Sequence, residues 1–231
     1  MRRLLLVLPV LCLGCVDEPM PEPSIKNALE GNKTAAELPI GGGKAPEAGD
    51  VPQTGTFQVA FTTTAGPFTI EVDRSWAPIG AQRFHDLVAS GFYNDAGFFR
   101  VLKDFMVQFG LPADPANIAR WGVISDDPVV KSNKPSYVSF ATAGPNSRTT
   151  QIFINYEDNA NLDDQGFSPF GRVIEGMENV RRINGQYGQT PDQGQIRTQG
   201  NTYLKKNFQD LDYVVSATFV TEEAGGEEEA D

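Results

Sequence analysis

Phe98-Phe99-Arg100-Val101-Leu102-Lys103-Asp104-Phe105-Met106-Val107-Gln108-Phe109-Gly110 is the most informative stretch of the chain. Gly97 to Leu102 and Asp104 to Phe109 read as a pair of strands. In the first, alternation sends Phe98, Arg100 and Leu102 to one face and Phe99 and Val101 to the other. A guanidinium between apolar neighbours is costly unless its head meets partners or a cleft. Phe105, Met106 and Gln108 follow within the second strand, so the pair offers an apolar pocket rimmed by a guanidinium and an amide. Spacing alone equally allows Arg100 to extend its head into solvent from an ordinary strand.

Working outward, Thr56 to Thr63 alternates with Phe57, Val59 and Phe61 on one face. Turn residues Thr64-Ala65-Gly66-Pro67 follow, and Phe68, Ile70 and Val72 resume the pattern as a hairpin. Ala77-Pro78 opens a helix in which Phe84, Leu87 and Val88 share a face and Gly91 serves as its C-cap. Further strands are predicted at Ser136 to Ala141, Gln151 to Asn155, Pro169 to Ile174 and Tyr213 to Phe219, with a second helix over Gly176 to Ile183. Many short strands, frequent Gly and two separated helices point to a mainly β domain, a closed antiparallel barrel with a helix at each open end. Periodicity alone leaves a sandwich open as well.

Specific blocks narrow this reading. Phe99-Arg100-Val101 followed by Phe105-Met106-Val107-Gln108 resembles the active-site strand pair of the cyclophilin family of peptidyl-prolyl cis-trans isomerases. Phe140-Ala141-Thr142-Ala143-Gly144-Pro145-Asn146-Ser147 with Gln151-Ile152-Phe153-Ile154 is similar to its second block. Leu162-Asp163 with Gly166-Phe167-Ser168-Pro169-Phe170-Gly171-Arg172-Val173 is similar to its third. Phe84, Leu87 and Gly91-Phe92-Tyr93 fit the family's first helix and its exit. The similarity runs in order from about Thr56 to Phe219. It implies a closed eight-stranded antiparallel barrel capped by two α-helices.

The resemblance also implies a site. Arg100 aligns with the family's catalytic arginine, and Phe105 and Gln108 join it as catalytic residues. Met106, Phe153 and Leu162 align, with Phe105, to the apolar pocket that takes a proline ring. Ala141 and Gln151 align, with Gln108, to groups that hold the substrate backbone, and Phe167 falls near a family His position. No cofactor is implied. Four departures stand out: Phe99 where many members have His, Phe109 for a Gly, Thr142 for an Asn, and Asn161 for the Trp important in cyclosporin binding. Catalysis is expected to survive them, whereas cyclosporin sensitivity is not implied. The alternative of another class is a proline-binding or assembly module that keeps the barrel without useful turnover.

The ends read differently from the core. Arg2 and Arg3, the apolar run Leu4 to Leu13 and Gly14-Cys15 look like a cleavable export signal, too short to span a bilayer. Gly14-Cys15 resembles a lipobox, with Cys15 the lipidation site, although Cys12 stands where Leu is usual. Residues 1–14 are thus expected to be a signal and 15–55 a lipidated N-terminus and disordered tether, rich in Pro, Gly, Glu, Ala and Asn. Residues 56–221 form the isomerase domain, and 222–231 an acidic disordered tail. This predicts a bacterial envelope protein, lipid-anchored on the periplasmic side or cell surface.

Composition excludes several classes. Of the formal charge of −11, most lies in the tether and tail, so the core lacks the basic face that nucleic-acid binding requires. With two Cys, one of them in the signal, no disulfide is possible within the mature chain. His85 is the single His, which leaves a His/Cys metal site or a Ser-His or Cys-His pair without support. Glu157-Asp158 and Asp163-Asp164 read as solvated loop charges, because no Gly-spaced calcium loop surrounds them. The expected partners are proline-containing unfolded or exported polypeptides and, through the anchor, a membrane, with the protein acting as a monomer.

Overall fold

Phenylalanine alternation builds the core. A computed structural model describes Gly49 and residues 51–220. The signal, Cys15, most of the tether and the acidic tail lie outside the described residues. Strand β1 (Thr56–Thr63) pairs with β2 (Phe68–Asp73), stacking Phe61 on Phe68 with ring centroids 4.8 Å apart. Helix α1 (Pro78–Ala89) then buries Phe84, Leu87 and Val88 against this hairpin's inner face. Next come β3 (Arg100–Leu102), β4 (Met106–Phe109), β5 (Tyr137–Phe140), β6 (Ile152–Asn155) and β7 (Pro169–Glu175). Helix α2 (Met177–Arg182), the helix pair α3 (Gln193–Gln199) and α4 (Asn201–Asn207), and β8 (Val214–Phe219) complete the order.

All eight strands join one antiparallel sheet in the order β3-β4-β6-β5-β7-β2-β1-β8. The sheet curls around a core of Val59, Phe61, Ile70, Phe84, Val107, Phe109, Phe140, Ile154 and Phe170. Its two edges meet through the bridge Gly97–Tyr213, flanked by Phe98 N–H donating to Asp212 O (3.0 Å) and Val214 N–H donating to Ala96 O (2.9 Å). A Cβ at Gly97 would lie 2.8 Å from Leu204 Cδ1 and 3.0 Å from Leu211 Cδ2, so glycine here leaves room for the side chains that pack over the junction.

Helix α1 ends as the sequence predicts. Gly91 takes φ +69°, its N–H bonds to Val88 O, and Phe92 N–H bonds to Leu87 O, which is a Schellman ending. Its start is unusual. Ala77 offers no side-chain cap, and Asp127 supplies one from a distant loop, accepting from Ile79 N (3.0 Å) and Gly80 N (2.8 Å). Arg148 pairs with that buried carboxylate at 3.0 Å, so the pair is neutral and hydrogen-bonded.

Four expectations need correction. Strand β3 begins at Arg100, so alternation does not reach back to Phe98; that ring turns into the barrel and packs 4.9 Å from Phe109. Strand β4 begins at Met106, which leaves Phe105 in the preceding turn. The described residues hold α3 and α4 besides the two helices expected. These pack Ile196 and Leu204 with Phe99, Leu111, Phe208 and Leu211 in a second, smaller core. Finally, Val51, assigned to the tether, is only 7% exposed and packs with Ile79 and Ile124, so ordered packing begins ahead of β1.

Candidate active site

Period-two geometry sorts the side chains of β3, β4 and β6 onto two faces. The ladder pairs Arg100 with Gln108, Leu102 with Met106, Gln108 with Phe153, and Met106 with Asn155. Directly paired residues share a face, so Arg100, Leu102, Met106, Gln108 and Phe153 lie together on the outside of the barrel. Val101, Val107, Phe109, Ile152 and Ile154 take the inside.

On that outer face, Met106, Phe153, Leu162 and Phe167 form one buried apolar cluster, joined by part-buried Leu102, Phe105 and Ala141. Phe167 meets Phe153 edge-on, with centroids 5.7 Å apart. Leu162 comes from a 3₁₀ turn (Ala160–Gln165), and Phe167 follows Gly166, whose φ of +83° ends that turn. The guanidinium of Arg100 lies 6.0 Å from the Phe105 ring centroid.

A polar line runs beside the cluster. Arg100 Nη1 donates to Gln108 Oε1 at 3.0 Å, and Gln108 Nε2 donates to Gln151 Oε1 at 2.9 Å. Arg100, Gln108 and Gln151 are 8%, 3% and 2% exposed. Gly110 lets this line form, because with φ +101° a Cβ there would sit 2.5 Å from Thr150 O. Burial lowers the Arg100 pKa to about 10, so it remains a cation at neutral pH. Its Nη2 is buried and meets no acceptor among the described residues. A buried unsatisfied donor on a cation is expensive, so one beside an apolar cluster calls for a reason.

The structure thus brings together Arg100, Phe105, Met106, Gln108, Ala141, Gln151, Phe153, Leu162 and Phe167, and places Arg100 in the sheet face instead of in solvent. Of the departures, Phe109 is fully buried inside the barrel, on the face opposite the cluster. Phe99 packs with the helix pair. Thr142 turns into its own loop, where its hydroxyl meets Gly144 O and Ser147 Oγ. Asn161 is exposed.

Sequence reasoning passed over a second set of residues beneath this site. The amides of Asn133, Asn155 and Asn159 and the hydroxyl of Ser139 form a buried hydrogen-bonded network, and Asn159 Nδ2 donates to Phe105 O at 3.0 Å. Asn155 carried a signal, being polar and in step with Phe153 on β6 and with Gln151 just before it. Asn133 carried none. Asp163 also departs from expectation: it is tied to Asn133, and hydrogen bonds from Ser132 and Asn133 outweigh burial to hold its pKa below the usual carboxylate range.

Similarity to known proteins agrees with this geometry. Residues 58–204 match the family model described as cyclophilin type peptidyl-prolyl cis-trans isomerase/CLD. Peptidyl-prolyl cis-trans isomerase A of Dickeya dadantii (strain 3937) is 38% identical over 144 residues, covering 57% of this chain and 73% of that protein. Peptidyl-prolyl cis-trans isomerase CYP18-2 of Arabidopsis thaliana is 34% identical over 134 residues, covering 54% and 79%. The fold matches the crystal structure of cyclophilin AquaCyp293 from Hirschia baltica with a TM-score of 0.56, at 19% identity and coverage of 73% and 75%. It also matches the Cryptosporidium parvum cyclophilin type isomerase cgd2_1660, with a TM-score of 0.55 at 21% identity, covering 73% of this chain and 99% of that one. The chain belongs to the cyclophilin-type peptidyl-prolyl cis-trans isomerase family.

Proposed function

We propose that Arg100 is the catalytic group, that Phe105, Met106, Phe153, Leu162 and Phe167 receive a prolyl ring, and that Gln108, Gln151 and Ala141 hold the peptide. Rotation about an X-Pro bond must break amide resonance, a barrier of roughly 18–20 kcal/mol. No covalent bond breaks, so no nucleophile or general base is needed. As the amide twists, its nitrogen becomes pyramidal and gains a lone pair. Arg100 Nη2, a buried donor without an acceptor among the described residues and set beside the apolar cluster, supports this reading above all other observations. A hydrogen bond from it to that nitrogen strengthens only as the twist develops, which lowers the barrier instead of merely tightening binding. The ring clamped on the apolar cluster stays still while the preceding carbonyl turns.

Arg100→Ala is expected to lower the isomerisation rate of a proline peptide more than tenfold, about 1.4 kcal/mol or more in barrier, with circular dichroism unchanged. Unchanged turnover would remove Arg100 from the mechanism. The same assay separates an enzyme from a binding module, since peptide binding without rate enhancement in the wild type favours the module.

The setting is proposed too. Substrates are exported polypeptides, and the chain is held in the bacterial envelope, on the periplasmic side or cell surface, by lipid on Cys15 with the following segment as tether. The charged start, short apolar run and Gly14-Cys15 support this. Cys15→Ser should release the protein from membranes on fractionation; continued membrane association would refute the anchor. The protein works as a monomer, a reading supported by scattered exposed large apolar side chains among the described residues, namely Val130, Val215 and Val220.

A further inference from the structure

We propose that Asn133 and Asp163 form a latch that sets the position of the loop-borne wall of the proline pocket, making both of them positioning residues for the reaction. The inference rests on the apolar cluster being that pocket. Half of the cluster, Met106 and Phe153, is fixed by strand pairing. The other half, Leu162 and Phe167, sits on a loop outside the sheet and needs another anchor.

Asn133 supplies it at three points. Its carbonyl accepts from Asn159 N–H at the loop entry (2.8 Å). Its N–H and its Nδ2 both donate to Asp163 Oδ1, one residue past Leu162, at 2.9 and 2.8 Å. The second proton of Nδ2 goes to Phe167 O at 2.9 Å. Meanwhile Oδ1 accepts from Ser139 Oγ (2.8 Å) and Asn155 Nδ2 (3.3 Å), which ties the latch to β5 and β6. All four bonding positions of the side-chain amide are used, on a residue with no exposed surface. Turning the amide over would set its oxygen against a carboxylate and a carbonyl, so chemistry fixes its orientation. The Asp163 carboxylate strengthens the two bonds it accepts, because charge-assisted hydrogen bonds exceed neutral ones.

A loop released from the latch populates the binding-competent wall for only part of the time, and apparent affinity falls by that fraction. The chemistry at Arg100 is untouched once the ring is seated. The latch therefore affects KM and leaves kcat alone.

The test uses the full chain as wild type, Asp163→Ala and Asp163→Asn, with isomerisation kinetics on a prolyl peptide and direct titration of the same peptide. Asp163→Ala should raise both KM and Kd about fivefold, with kcat unchanged. Asp163→Asn keeps an oxygen to accept the same two bonds and should return most of that loss. Asn133→Ala should exceed Asp163→Ala; should this buried variant fail to fold, part-exposed Asp163 still decides. Unmoved KM and Kd in Asp163→Ala would overturn the latch. So would a fall in kcat alone, or equal losses with Asn and Ala. A wild type that binds the peptide without turning it over sinks the enzymatic reading, while the Kd arm still judges the latch.

Discussion

The inner and outer faces of β3, β4 and β6 share the same backbone and register, yet they are built on opposite principles. Inside, Val101, Val107, Phe109, Ile152 and Ile154 are buried hydrocarbon with every contact supplied by the barrel. Outside, the next residues along are Arg100, Gln108, Gln151, Met106 and Phe153, equally shielded but with one donor left without an acceptor among the described residues. One face maximises packing, and the other tolerates an unmet hydrogen bond so that something from outside can meet it. A single strand can serve both purposes because side chains alternate, which lets activity and stability be altered separately.

The largest effect is expected from the inner face. Phe109→Ala should destabilise the fold by about 3–5 kcal/mol through lost burial and the cavity left behind, measured by denaturant titration. Peptide turnover per folded molecule should stay near wild type; a large catalytic loss at unchanged stability would mean the faces are not independent. From outside, Gln108→Leu removes the acceptor that orients Arg100 and strands Gln151 Oε1. Turnover should fall about tenfold, equivalent to about 1.4 kcal/mol, with a stability cost of about 1–3 kcal/mol for the groups left unpaired. If turnover holds, Arg100 needs no orientation from Gln108.

The smallest effect expected is with pH. Burial lowers the Arg100 pKa to about 10. Its charge, and with it the rate, should therefore be level from about pH 6 to 9 and decline only as pH passes through the folded-state value. Stability from this group runs the other way. Between the lowered folded pKa and the higher unfolded one the unfolded chain binds more protons, so its contribution rises with pH. A rate that titrates near pH 7 would point to a group other than Arg100.

Much of this was legible in the sequence. Alternation at Phe57-Val59-Phe61 and Phe68-Ile70-Val72 announced strands, because a half-buried strand must repeat every second residue. Arg100 and Gln108 stood out because polar groups among apolar neighbours need a reason. The helix pair α3 and α4 was not legible. Each of these helices is seven residues long and gives the small core one buried aliphatic side chain, Ile196 or Leu204, too few to establish a helical period. Alternation carried back past the true start of β3 puts Phe98 on the wrong face, because the period holds only within the strand. Asn133 was invisible for a different reason. Its importance lies in where Asn159, Asp163 and Phe167 arrive, and local sequence does not encode that arrival.

Asp127 caps α1 from 48 residues downstream of Ile79. Until that loop folds back, the first-turn amides of α1 have only water to meet. A chain cut ahead of Asp127 would lack this cap, whose loss costs a helix about 1 kcal/mol. The stability of this end of the barrel is therefore shared with the middle of the chain, and a change at Asp127 should be felt at the start of α1.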